Sequence, residues 1–347
     1  MLRTIFAFAL AAAATALPHH GAFTTEQYEA QWAAFKGTHA KTYSADEHDL
    51  RFAVFKDNLE FITYHNTYKY GKSASYDLGL NEFSDMTHQE FKAQMRLGEY
   101  SSFMEMANSH SNAACTGADH LLNATMPDQY AKVDWRKEGA VTPIKNQGQC
   151  GSCWSFSTTG STEGVNKIAG NKLVSLSEQQ LMDCSKPEGN QGCQGGLMDD
   201  AFAYIIKNEG ICSEASYPYE GKNGVCKTAC TKVVTIDGCA DVPTMNEASL
   251  AAAVTKNPVS VAIEADKKEF QSYKSGIFDF KGCGVKLDHG VLVVGYGAYQ
   301  SKEFWTVKNS WGATWGNKGF IYLSRGEEGK AGECGIATQP SYPTKSA

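Results

Sequence analysis

The stretch Gln147-Gly148-Gln149-Cys150-Gly151-Ser152-Cys153-Trp154 sets two cysteines three residues apart among small residues, just ahead of a run, Ser155 to Ile168, that reads as a helix. If Cys153 opens that helix, unpaired backbone N–H groups and the positive end of the helix dipole face its sulfur. Both lower the pKa of a thiol and raise its thiolate fraction. A thiolate so placed suits attack on a carbonyl, provided a general base and an orienting group accompany it. Far downstream, Asp288-His289-Gly290 offers the base and Lys308-Asn309-Ser310-Trp311-Gly312 the orienting group. Cys-x-x-Cys spacing also serves redox exchange, but no βαβ pattern surrounds this pair, and the distant His and Asn fit nucleophilic catalysis better.

These side chains need a scaffold. The chain has 347 residues, 42% hydrophobic and 20% charged, which is ample for a sizeable core. A net charge of −6 without a basic run gives no electrostatic basis for a nucleic-acid or anionic-membrane partner. Arg3, the apolar run Ile5 to Ala14 and the small residues Ala14-Thr15-Ala16 read as a secretory signal peptide over residues 1–16. No other stretch is apolar for long enough to span a membrane. Eleven cysteines on a secretory path belong mostly in disulfides, although spacing does not assign the pairs.

Capping boxes, a Ser or Thr followed three residues later by Glu or Gln, mark helix starts at Thr24, Ser44 and Thr87, and later at Ser177 and Thr244. Tyr76, Leu78 and Leu80 alternate as a strand would. Residues 98–125, rich in Ser, Asn and Ala, have the composition of an exposed connector where nicking is expected. Beyond it the first half of the chain reads as helical, with a face of Leu197, Met198, Ala201, Phe202 and Ile205 stopped by Gly210. In the second half, Val259–Ile263, Val291–Tyr296, Phe304–Lys308 and Phe320–Ser324 read as glycine-punctuated antiparallel strands.

On the helix opened at Ser44, Glu47, Arg51, Phe55, Asn58, Ile62 and Asn66 recur at steps of three and four along one stripe. They also fill the E-R-F-N-I-N pattern of cathepsin L-type propeptides, and Gly79, Asn81, Phe83 and Asp85 fill the companion G-N-F-D pattern. Together with the Cys-Gly-Ser-Cys-Trp signature, these motifs make the chain resemble a papain-family cysteine protease of the cathepsin L type, from about residue 24 to 343. The resemblance implies an α+β fold with a helical lobe, an antiparallel β-barrel-like lobe and a cleft between them, preceded by a helical inhibitory prodomain. Residues 17–125 would be that prodomain and 126–347 the peptidase, with a cut between Leu121 and Gln129. Asn123, in the chain's one Asn-x-Ser/Thr triplet, would be a glycosylation acceptor. The implied disulfides are Cys150–Cys193, Cys184–Cys226 and Cys283–Cys334. Of Cys115, Cys212, Cys230 and Cys239, the last three lie in the peptidase part, so one further bridge plus one free thiol is the simplest count.

The resemblance also implies roles. Cys153 is the nucleophile of a thiolate–imidazolium pair and His289 its proton carrier, passing through a thioester. The Asn309 side-chain oxygen orients His289, and Trp311 shields that bond and walls the primed side. Gln147 and the Cys153 N–H hold the oxyanion. Gly195 and Gly196 pair with extended substrate, and Gly151 is a further substrate-binding residue. Leu197, Met198, Ala262, Leu287 and, at its base, Gln339 line the pocket for the residue two before the cut, favouring a hydrophobic or aromatic side chain. Gln339 departs from the small residue of cathepsin L. The close spacing of Cys184 and Cys193, without paired histidines after them, leaves no occluding loop of the cathepsin B kind, which favours endopeptidase action. Partners would be protein substrates, the chain's own propeptide and cystatin-type inhibitors, acting on a monomer in a lysosomal, vacuolar or extracellular setting. No metal or organic cofactor is required. The competing reading is a catalytically silent homologue that binds or stores. Prodomain release should respond to acid, since paired carboxylates such as Glu47 and Asp85 would lose their partners on protonation.

Overall fold

Thr24 and Thr87 form the capping boxes their spacing predicts, each accepting from the N3 backbone while the N3 side chain reaches back. They open α1 (Thr25–Thr38) and, after α2 (Ala45–Tyr64), α3 (His88–Met95) in this computed structural model, which describes residues 23–69, 74–97, 115–326 and 331–346. The signal-peptide reading lies outside the described residues. Ser44 starts α2 but makes no side-chain cap bond, so that box does not form.

The polar members of the α2 stripe fasten the loop that follows it. Arg51 donates to both Glu90 oxygens at 2.9 Å and to the Asp85 carbonyl at 3.2 Å. Asn58 donates to the carbonyls of Ser84 and Met86, each at 2.9 Å. Asn66, in a π-helical turn continuing α2, exchanges two bonds with the Leu78 backbone at 2.9 and 3.0 Å. Asp85 is buried and takes Lys41 at 3.0 Å and Tyr43 at 2.7 Å. Glu47 stays exposed, 3.5 Å from Ser44 Oγ, and the expected ion pair falls to Glu90 instead, because Glu90 lies on the face of α3 that Arg51 reaches.

In the peptidase region, α4 (Cys153–Ile168), α5 (Glu178–Cys184, capped by Ser177), α6 (Met198–Lys207), α7 (Glu247–Val254) and α8 (Lys268–Gln271) are the helices described. Helix α4 begins at Cys153 itself. Thr244 does not cap α7: it donates to the Thr338 carbonyl, and Asn246, adjacent to the helix, accepts from the Ser249 N–H at 3.0 Å.

The strands are β1 (Tyr76–Leu78), β2 (Thr116–Gly117), β3 (Val133–Asp134), β4 (Ile211–Cys212), β5 (Lys232–Val234), β6 (Gly238–Asp241), β7 (Val259–Ile263), β8 (Tyr273–Phe278), β9 (His289–Tyr299), β10 (Lys302–Lys308), β11 (Phe320–Ser324) and β12 (Ser341–Thr344). One sheet runs β1-β8-β11-β10-β9-β7-β12-β6-β2, with β3 paired to β9, while β4 and β5 pair separately. Pairing is antiparallel except for β11 with β8 and β2 with β6. Both end strands of this sheet precede the predicted cut. Segments of the prodomain side therefore cover both edges, which would otherwise present unpaired backbone groups.

Helix α4 packs on β7 and β9 through a stripe of small residues, Ser157, Gly160, Ser161 and Gly164. Ser157 Oγ donates to the Val291 carbonyl at 2.7 Å, and Ser260 Oγ lies 3.0 Å from the Ser157 carbonyl and 2.9 Å from Ser161 Oγ. A Cβ on Gly160 would sit 2.7 Å from Leu292 Cδ2, and one on Gly164 2.6 Å from the Pro258 ring. The lack of a side chain matters most at Gly164, which faces the rigid Pro258 ring and the Ala140 carbonyl, and less at Gly160, which faces the end of the Leu292 side chain.

The three implied disulfides are present. The remaining four cysteines also pair, as Cys212–Cys230 and Cys115–Cys239, which corrects the expectation of a second free thiol. Pairing of β2 with β6 brings Cys115 within 4.7 Å of Cys239, Cα to Cα, across 124 residues of chain. Cys153 is the one free cysteine.

Candidate active site

Cys153 is the first residue of α4, with no side chain capping the turn before it. His289 is the first residue of β9, and the sheet sets it against α4: a Cβ on Gly290 would lie 3.2 Å from the Trp154 backbone and 3.4 Å from the Cys153 carbonyl carbon. Glycine is required there for the two chains to approach. Asn309 follows β10 directly, and β10 pairs with β9 along its length.

Within this frame His289 Nε2 lies 2.7 Å from Asn309 Oδ1. The Ser310 backbone N–H also donates to that atom, at 2.7 Å, which identifies it as the amide oxygen. Nε2 therefore carries the proton, and Nδ1 keeps a lone pair with no hydrogen-bond partner. Trp311 stacks on the imidazole, centroids 4.6 Å apart at 27°, and is fully buried, so water is kept from the His289–Asn309 bond.

Gln147 is fully buried beside the nucleophile's loop. Its Nε2 donates to the Cys150 carbonyl at 2.9 Å and its Oε1 accepts from Ser310 Oγ at 2.7 Å. An amide nitrogen has two hydrogens, so one remains to be offered elsewhere. Tyr219 Oη, bonded to the Gln147 carbonyl at 2.7 Å and to Ser152 Oγ at 2.6 Å, ties the two sides of the loop together.

The site is covered. Met95, Arg96, Gly151, Cys153, Gln194, Gly195 and Asp288 line one small cavity, so the end of α3 and Cys153 share its wall. Phe83 and Phe91 of the prodomain meet Trp311 edge-on at 6.1 and 5.3 Å. Asn81 donates to the Gln271 carbonyl at 2.7 Å and Lys92 pairs with Asp266. Burial pushes the Cys153 thiol up to about 11, against the N–H groups of Gly290 and Trp154 that pull it down. Burial also lowers His289 to about 4, against the opposing bond to Asn309. Under this cover burial favours the neutral form of both groups.

Leu197, Met198, Ala262 and Leu287 converge in one apolar cluster. Gln339 is half-buried in the bend before β12 and joins no hydrogen bond described here. Gly195 has φ +113°, a conformation open to glycine, and Gly196 lies against the Trp154 ring, where a Cβ would come within 2.7 Å. Gly151 forms a parallel bridge with Gln194 beside the Cys150–Cys193 disulfide. Asn123 is exposed.

One group behind the site escaped the sequence reading. Lys145 Nζ reaches Glu163 at 2.9 Å and Glu178 at 2.6 Å, and Thr142 links Glu163 at 2.6 Å to Lys308 at 2.9 Å. Lys308 precedes Asn309, and burial lowers its ammonium to about 8. Glu163 and Glu178 lie on α4 and α5, so the network joins the helical lobe to the strand that ends at Asn309. A buried charge must be paired, but nothing in the spacing of these residues marks them as partners.

The chain matches the model of papain family cysteine proteases over residues 129–344 and that of the cathepsin propeptide inhibitor domain (I29) over residues 32–91. It is 51% identical to the probable cysteine protease RD21B of Arabidopsis thaliana over 86% of its own length, and spans 62% of that protein. It is 45% identical to the germination-specific cysteine protease 1 of the same plant, covering 95% of this chain and 88% of that one. Among solved structures, the proform of the ragweed pollen cysteine protease Amb a 11 superposes with a TM-score of 0.82 at 40% identity, covering 93% of this chain and 96% of the other. Digestive procathepsin L 3 of Tenebrio molitor larval midgut gives 0.80 at 41%, covering 92% and 99%. The chain belongs to the papain family of cysteine proteases and carries the inhibitory propeptide of the cathepsins ahead of its peptidase domain.

Proposed function

We propose that this chain is a cysteine endopeptidase made as a self-inhibited zymogen, with residues 17–125 as prosegment and 126–347 as the enzyme. The observation that carries the reading is a free, buried cysteine at a helix N-terminus and a histidine whose tautomer Asn309 imposes, with the end of α3 and Cys153 lining one cavity.

While covered, thiol and imidazole stay neutral and the site is silent. When the prosegment leaves, water and substrate enter and the thiol proton passes to His289 Nδ1, whose lone pair has no other partner. The sulfur attacks the peptide carbonyl carbon. A C–S bond forms, and the displaced π electrons become an oxyanion that accepts from Gln147 Nε2 and the Cys153 N–H. The Nδ1 proton moves to the leaving amine as the C–N bond breaks, leaving a thioester. His289 then takes a proton from water, which attacks the thioester and expels the thiolate. Asn309 holds the ring in register throughout.

Extended substrate would pair with the backbone of Gly195 and Gly196 and place a hydrophobic or aromatic side chain against Leu197, Met198, Ala262 and Leu287, with Gln339 at the base. Five disulfides suit an oxidising compartment on the secretory route, vacuolar, lysosomal or extracellular. The test is to shift purified full-length chain to acidic reducing buffer and follow mass and a fluorogenic dipeptide substrate together. Processing near residues 121–129 with activity appearing alongside, and no activity in Cys153→Ala, is expected. Processing without activity in the native chain would overturn the enzymatic reading.

A further inference from the structure

Cys115 is the one cysteine ahead of Cys150, and its partner Cys239 lies inside the peptidase domain. The segment around Cys115 is built into that domain. Strand β2 pairs with β6 through Thr116 opposite Ala240 and Gly117 opposite Asp241. The Ala118 N–H donates to the Asp241 carbonyl at 2.8 Å, and the Leu121 carbonyl accepts from Ser249 Oγ at 2.8 Å. Both sulfur-bearing residues are buried, Cys115 at 7% and Cys239 at 4% exposure. The chain surfaces just beyond this anchor. Leu122 is 54% exposed and Tyr130 81%, and this is the stretch between the propeptide match, which ends at residue 91, and the peptidase match, which begins at 129. Exposed, weakly bonded backbone of this kind is where a protease cuts.

We propose that a cut in residues 122–130 does not free the prosegment: it yields a two-chain molecule in which the severed propeptide remains bonded to the enzyme through Cys115–Cys239, and a thiol reductant is needed to release it. The inference rests on the zymogen reading above. Its chemistry is thiol–disulfide exchange with a low-molecular-weight thiol. The thiolate of one reductant molecule attacks a sulfur of the bridge, the S–S bond breaks and a mixed disulfide forms. The thiolate of a second reductant molecule attacks the reductant's sulfur in that mixed disulfide and expels the protein thiolate, which takes up a proton, leaving Cys115 and Cys239 as thiols and the two reductant molecules joined as a disulfide. Two electrons pass from the reductant to the bridge.

The tether changes the inhibition. A free fragment dissociates on dilution. A tethered one keeps an effective concentration of about millimolar beside the cleft, which strengthens apparent binding by about 10²–10⁴ without any new contact. Acid alone would then loosen the prosegment without dispersing it. A reductant, which the Cys153 thiol also needs, would complete activation, so acid and reducing power act as two separate requirements.

The experiment uses the full Cys153→Ala chain, cut at acid pH by a small amount of separately activated native enzyme. Denatured samples are weighed by mass spectrometry without and with a small thiol. The expected unreduced product has the mass of the uncut chain plus one water, and reduction splits it into two pieces, the N-terminal one containing Cys115. Two separate pieces without reductant, or Cys115 found on the C-terminal piece, would overturn the proposal. If acid gives no cut, the zymogen reading fails on its own, and limited chymotrypsin digestion at the exposed Leu122 and Tyr130 supplies the same comparison for the tether. A second variant, Cys115→Ser with Cys239→Ser, cut in the same way, should let the propeptide separate on size exclusion without reductant, whereas the chain with its bridge should not. Equal separation of the two overturns the proposal as well.

Discussion

Replacing Gln147 by Ala removes three things at once, and the structure separates them. The lost N–H toward the oxyanion is a transition-state interaction, worth about 2.7–4 kcal/mol, so kcat should fall about 10²–10³-fold. Because the interaction is made only as negative charge develops, kcat/KM should fall by the same factor while KM holds. The other two losses are ground-state effects. The Cys150 carbonyl and Ser310 Oγ, 2.9 and 2.7 Å from the Gln147 side chain, are left without it in a fully buried setting. An orphaned buried polar group costs about 1–3 kcal/mol, which lowers the melting temperature by about 2–4 °C per kcal/mol in a domain of this size. Gln147→Glu tells the effects apart. It keeps an acceptor for Ser310 and the side-chain volume, but as a carboxylate it has no N–H to give. Rates would be measured with active-site-titrated enzyme on a fluorogenic dipeptide, and melting on the Cys153→Ala background. Both variants should lose rate, with Gln147→Glu retaining more packing than Gln147→Ala. A loss of less than about tenfold in kcat for both would mean that the oxyanion is held without this side chain.

Three further outcomes follow from the geometry. For pH, burial alone would raise Glu90 and Asp266, but the Thr87 N–H and Arg51 hold Glu90 below its ordinary 4.5, and Lys92 with Lys267 hold Asp266 below 3.8. Depressed folded values stabilise the prodomain itself, for Glu90, and its docking through Lys92, for Asp266, above the ordinary range, and that contribution is lost as pH falls through the folded value. The half-buried Glu82, which burial raises, works in the opposite sense. Asp266→Asn should therefore move the onset of processing to higher pH, and an unchanged pH profile would show that the Lys92–Asp266 pair does not hold the prodomain. Gln339→Glu should raise cleavage of substrates carrying Arg rather than Leu at the position two before the cut about tenfold, as a charged hydrogen bond of about 1.5 kcal/mol would; an unaltered ratio in a peptide library would place Gln339 outside that pocket. Gly164→Ala drives a Cβ to 2.6 Å from the rigid Pro258 ring, whereas Gly160→Ala meets only the end of the Leu292 side chain at 2.7 Å. Overpacking of about 1–3 kcal/mol should outweigh the helix-propensity gain of about 1 kcal/mol at Gly164 but not at Gly160, and melting curves in the reverse order would refute the packing account.

What the sequence determined by itself was chemistry encoded over a few residues. Thr24, Thr87 and Ser177 cap helices because a hydroxyl three positions from a backbone N–H needs no other part of the chain. Cys153 begins a helix for similarly local reasons, and Leu197, Met198, Ala262 and Leu287 meet in one apolar cluster once α6 and β7 form. Motif resemblance extended this to His289, Asn309 and Gln147, which the fold does bring to one loop and two strand ends. The tertiary structure decided whatever depends on which distant segments meet. Ser44 and Thr244 have the right spacing yet do not cap, because Thr244 finds the Thr338 carbonyl and Asn246 is better placed. The Lys145, Glu163, Glu178 and Lys308 network draws on separate elements and has no signature spacing. The partner of Cys115 is set by one short parallel strand pairing across 124 residues. Local interactions carry their own geometry in the order of the residues, whereas a long-range pair exists only after the entropy of closing the loop between its members has been overcome by everything else that packs.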